Sequence, residues 1–135
     1  MDKCMEKLLS LTLSDPKTET RRVTRLGLDV TLREMTYDEV EKVGREAEDR
    51  DLHYLLAATV SPNFRDPEWH QGKMHCATPI QAMKKLFRHG EVNALVAVVD
   101  RLNGYRCQVL DDPKARENAA VATAADELAK NAQGT

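Results

Sequence analysis

His70, His75 and Cys76 lie within seven positions of one another and are the residues best suited to hold a metal. Imidazole nitrogens and a thiolate suit zinc, but a closed structural site needs four ligands in tetrahedral array, and no second cluster of such residues is near. The expectation is a polar loop without metal or cofactor. Cys76 with a histidine would be a nucleophilic pair, yet the chain has neither the glycine-rich turn nor the small-residue elbow that exposes a nucleophile. His53 and His89 stand singly beside apolar residues and read as partly exposed surface histidines. The acidic residues are numerous, and singling out two of them for acid/base work would be arbitrary, so no catalytic constellation is expected.

Lys17, Arg21, Arg22 and Arg25 form the one basic run. On a strand, Arg21 and Arg25 share a face and Arg22 takes the other. Such a run could contact phosphate, which would make the chain a small nucleic-acid-binding or regulatory adaptor. Against that reading, 20 basic and 22 acidic side chains are interspersed to a formal charge of −2, so there is no basic footprint. Interleaved aromatic residues for base stacking are lacking as well. Charged side chains also serve on edge strands to discourage aggregation.

Pro62, Asn63, Phe64, Asp66, Pro67 and Trp69 sit in a stretch, 61–77, with two prolines, a glycine and no sustained period. It reads as an irregular connection with one helical turn after Asp66-Pro67. Long connections of this kind often carry function. Phe64 and Trp69, with Tyr105 further on, are large rigid side chains suited to anchoring a partner. They could equally pin the loop onto the core, and the sequence leaves both open.

The elements that position these residues follow from periodicity. With 135 residues, 41% hydrophobic and only 4% aromatic, the chain suits an α+β fold whose core is built from Leu, Val, Ala and Met. Residues 3–12 fit either a short helix or an extended Leu9-Leu11-Leu13 alternation. Residues 18–34 read as a β-hairpin around Leu26-Gly27, with strict alternation in Leu28-Asp29-Val30-Thr31-Leu32-Arg33. Thr36 and Glu39 have capping-box spacing and predict a helix over 37–48, with Tyr37, Val40, Val43 and Ala47 on its inner face. Leu52, Leu55, Leu56 and Val60 give a second helical stripe, ending before Ser61-Pro62.

Thr78-Pro79 caps the next helix, whose inner face is Ile80, Met83, Leu86 and Phe87 and whose end is His89-Gly90. The clearest helix covers 91–103, with Gly104 as a left-handed cap. The expected core includes Val30, Leu32, Val40, Leu55, Leu86, Val96 and Val99. One domain over 1–112 is expected, then an Ala-rich tail over 113–135, helix-prone at 117–131 but with few large apolar anchors. The charged N-terminus suits neither a signal peptide nor a membrane span, and the widely separated Cys4, Cys76 and Cys107 suit free thiols. A cytoplasmic protein is the expectation.

Leu32-Arg33-Glu34-Met35-Thr36-Tyr37, then Val60-Ser61-Pro62-Asn63-Phe64-Arg65-Asp66-Pro67-Glu68, Thr78-Pro79, Leu86-Phe87-Arg88-His89-Gly90-Glu91-Val92 and Leu102-Asn103-Gly104-Tyr105 occur in one order at compatible spacing. This series, spanning 28 to about 106, resembles the XkdN-like phage tail assembly chaperone family. The chain departs from the family's pattern at Gly72 to Cys76, where the family tends toward Tyr-Gly before its Thr-Pro. The resemblance implies a non-catalytic protein of long-tailed phages or prophages. It implies that the protein binds the tape measure protein, helps recruit tail tube subunits, and works in the host cytoplasm rather than in the mature virion. Self-association is left open; nucleic acid and membrane are not expected partners.

Overall fold

The computed structural model describes residues 2–106 and 110–113. The hairpin forms where the alternation predicts it: β1 (Thr18–Val23) and β2 (Leu28–Arg33) pair antiparallel from Thr18↔Arg33 to Val23↔Leu28. Between them Leu26 N–H donates to Val23 O (3.0 Å) and Gly27 N–H to Thr24 O (3.2 Å). Gly27 takes φ +58°, a left-handed conformation that costs glycine little. Val23, Val30 and Leu32 turn inward, while Arg22 and Asp29 stay on the wet side.

A third strand, β3 (Thr59–Ser61), adds to the far side of β2 and gives the order β1-β2-β3. By its periodicity Val60 continues the stripe of the helix before it. That helix instead ends at Ala58, because Thr59 and Val60 are β-branched and precede a proline, and the Thr59 hydroxyl closes the last turn on Leu55 O at 2.7 Å.

The helices are α1 (Lys3–Ser10), α2 (Tyr37–Gly44), α3 (Arg50–Ala58), α4 (Pro79–Leu86) and α5 (His89–Leu102). The choice left open for the N-terminal segment falls to helix, capped by the Asp2 carboxylate on Cys4 N–H at 2.8 Å. α2 stops at Gly44, short of its expected end, so Ala47 lies outside it and exposed. Tyr37 is 79% exposed and not on the inner face; Val43 is the residue α2 buries.

His89 and Gly90 open α5 instead of closing α4, because Arg88 takes the extended N-cap conformation and its N–H is bonded by the Glu91 carboxylate. Gly104 follows α5 with φ +88°, the expected left-handed cap. Thr78 Oγ1 accepts from Gln81 N–H, the expected cap of α4.

α3 and α5 pack on each other and on the inner face of the sheet. Leu32, Leu55, Met83, Val30 and Val99 are the largest wholly buried side chains. Val40, Leu86 and Val96 line this core half-buried. The structure is therefore α+β. Contacts divide the chain after Asn103, ahead of the boundary expected near Pro113. The expected helix at 117–131 lies outside the described residues. No helix among the described residues is long and apolar enough to cross a membrane.

Candidate partner-binding surface

The loop after β3 is ordered by its own polar side chains. Ser61-Pro62 is cis, Asn63 Oδ1 accepts from Arg65 N–H (3.1 Å), and Asp66 Oδ1 accepts from Glu68 N–H (2.9 Å). Pro67 then leads into a π-helical segment, Glu68–Lys73, longer than the single turn expected. Phe64 is only 3% exposed. Its ring lies 5.2 Å from Trp69 and 5.8 Å, edge-on, from Phe87.

Of the two roles open to Phe64, the structure takes the pinning one: as a partner anchor it is corrected to a core residue. Trp69, Pro62 and Asp66 are half-buried beside it, and Asn63 and Pro67 are exposed. These six residues form one continuous loop. Tyr105 is exposed and belongs to the unit that begins at Gly104.

His70 and Cys76 serve the same loop. His70 is buried, its Nδ1 3.3 Å from Cys76 O, and Cys76 N–H donates to His70 O at 2.7 Å. The Cys76 thiol donates to Met74 O at 3.3 Å. His75 is exposed, with φ +55°. Among the described residues no group of three His, Cys, Asp or Glu side chains is placed to hold a metal. Cys4 and Cys76 are free thiols, and Cys107 lies outside the described residues.

The arginines of the basic run are paired with carboxylates. Arg21 bonds Glu19 (2.9 Å), and Arg22 bonds Asp29 (2.7 Å) across the strands. Arg25 grips Glu91 through Nε (2.9 Å) and Nη2 (2.7 Å), and also donates to Leu86 O (2.8 Å). Arg33 does the same at the other end of the hairpin, bonding both oxygens of Glu39 and the carbonyl of Ala57 (3.0 Å).

Both glutamates stand three residues after an N-cap and also accept that cap's N–H, Thr36 at 3.0 Å and Arg88 at 2.7 Å. One arginine at each end of the hairpin thus fastens it to the start of a helix. The bonds from Arg25 and Arg88 hold Glu91 at a pKa of about 2, and those from Arg33 and Thr36 do the same for Glu39. Asn103 closes the arrangement. Its Oδ1 accepts from Met35 N–H (2.8 Å), a group that can only donate, so its amide nitrogen faces the Tyr54 hydroxyl at 2.7 Å.

A group of exposed apolar side chains lies elsewhere, on α1. No α1 residue is buried. Met5, Leu8 and Leu9 are 44%, 60% and 68% exposed and share one side of the helix, with Lys3, Glu6 and Lys7 on the other. Leu11 and Leu13, beyond its end, are exposed too. An eight-residue helix is marginal in water without tertiary contacts, so this one is suited to gaining them from another molecule. Sequence reasoning missed the surface because helix and extended alternation could not be told apart over so few residues.

The site is thus an apolar helix face on an α+β scaffold whose polar side chains fasten its own elements. The chain is similar to the crystal structure of the protein YqbN, a structural genomics target, at 14% identity and a TM-score of 0.54, covering 69% of this chain and 89% of that one. At that identity the likeness concerns the fold. No family model matches the chain, and no curated protein matches it.

Proposed function

We propose that the protein is a non-catalytic phage or prophage tail assembly chaperone that binds the tape measure protein. The observation that carries this reading is α1, a capped amphipathic helix none of whose residues enters the core. A tape measure protein is long and helical, and its apolar stripes would aggregate if left uncovered. A short helix presenting Met5, Leu8 and Leu9 covers such a stripe by helix-to-helix contact, in the manner of helix-in-groove recognition. An eight-residue helix buries little area, which suits moderate, reversible binding by a partner that leaves before the virion is complete.

The resembling motifs support the same reading. Arg33, Thr36, Glu91 and Asn103 all fall within them, and all are fastenings of the scaffold. The family likeness therefore rests on what holds the fold, and α1, outside it, is where partner choice resides. The pairing of Arg21, Arg22 and Arg25 with carboxylates leaves the hairpin poorly suited to phosphate. Recruitment of tail tube subunits and action in the host cytoplasm belong to the same proposal.

Co-expression with the tape measure protein encoded beside it tests the reading. The chaperone should raise the soluble yield of that protein and co-purify with it. A tape measure protein equally soluble with and without it would refute the proposal.

A further inference from the structure

We propose that the outer edge of β1 is a self-complementary interface through which two copies of the chain pair into one continuous antiparallel sheet. Among the described residues β1 has β2 on one side and no strand on the other, so its outer N–H and C=O groups face away from the sheet. Edge strands in this condition template the addition of another strand, and charged side chains are the usual deterrent. Here the charges, with Pro16 just ahead of the strand, favour one register instead of forbidding all of them.

Two copies related by a two-fold axis perpendicular to the sheet must pair about a residue, because directly opposed side chains point to the same face. A centre on Glu19, Arg21 or Arg22 would set that charge against its own copy, which destabilises a cross-strand pair. A centre on Thr18 would oppose Lys17 to Glu19 but would set Pro16, which has no N–H to give the ladder, against Thr20. A centre on Thr20 sets Thr20 against Thr20, and Glu19 against Arg21 of the second copy on both sides of the axis. Thr–Thr and opposite-charge pairs are among the favourable cross-strand combinations. Glu19 and Arg21 are already within 2.9 Å in one chain, so the carboxylate and guanidinium stand on the same face.

A groove of about 470 Å³ runs beside this edge, between β1 and α5, with Val23, Ala94, Leu95 and Val98 in its lining. In the Thr20-centred register Lys17 of the second copy lies opposite Val23. Residues 15–19 of the second copy then run beside 21–25, the strand side of the groove. The second copy thus supplies the missing strand.

Sedimentation of the full chain over a range of concentrations should show a reversible monomer–dimer equilibrium. Arg21→Glu and Glu19→Arg, both at accessible positions, should each weaken dimerisation at least tenfold, since each opposes like charges across the axis. Their equimolar mixture should restore dimers to about the wild-type level, because the mixed pair opposes Glu to Arg at both positions while each chain keeps its own substitution. Thr20→Cys in a Cys4→Ser background offers a second route, independent of charge: it should give an oxidised dimer that Cys4→Ser alone does not. A wild-type chain monomeric at all concentrations, as an edge reserved for a different protein would leave it, overturns the proposal. So does a mixture that associates no better than either variant alone.

Discussion

Phe64 in the loop after β3 and the leucines of α1 are both large apolar residues outside the main helices, and they meet opposite fates. Phe64 is closed over by Trp69 and Phe87, whereas Leu8 and Leu9 stay in water. The difference lies in what the rest of the chain offers each segment. The Phe64 loop is tied back at many points, through its Asx-type bonds and the His70–Cys76 contacts, and so is held against α4 and its neighbours. α1 is followed by an irregular run to β1, and neither holds a buried residue. Irregular backbone and aromatic residues therefore mark a packed part of this molecule, and a regular helix marks an exposed one.

The strongest way to break that comparison is to remove the Phe64 ring. Phe64→Ala should cost about 3–5 kcal/mol by chemical denaturation, the range for a buried phenylalanine that leaves a cavity; a change near zero would make the loop an appended surface after all. Asn103→Ala should cost about 1–3 kcal/mol, since it removes one partner from the N–H of buried Met35 and one from the hydroxyl of buried Tyr54.

Acid should loosen the fastenings at both ends of the hairpin. Glu39 and Glu91 are held at about 2 against an ordinary 4.5, so between those values the unfolded chain binds protons that the folded chain refuses. Their contribution is complete above about pH 4.5 and fades as pH falls toward 2. Melting temperature should therefore drop across that window, and Arg25→Met or Arg33→Met should flatten the drop. The smallest effect belongs to α1: Leu8→Ser with Leu9→Ser should leave stability within about 0.5 kcal/mol of the wild type, as for surface changes that touch no packed feature.

Much of the scaffold was legible before its structure. The alternation of Leu28 to Arg33 specified β2 and its buried face, and the Thr36–Glu39 and Thr78–Pro79 spacings specified two helix starts, because each is a local signal with a local cause. β3 was not legible, since Val60 continues a helical stripe in sequence and only pairing with β2 makes it a strand. Nor were the Arg25–Glu91 and Arg33–Ala57 fastenings, which join residues far apart in the chain. The burial of Phe64 depends on Phe87 in the same way. The exposed face of α1 was hidden by the shortness of its period, and its exposure is a property of everything else in the fold.

Affinity capture of the tape measure protein by the Leu8→Ser/Leu9→Ser variant tests most directly the claim that α1 is the partner-binding element. With circular dichroism and melting matched to the wild type, the variant should retain less than about a tenth of wild-type capture, a loss of about 1.4 kcal/mol or more in binding. Capture equal to the wild type by the folded variant would contradict the assignment of α1 as the surface that holds the tape measure helix.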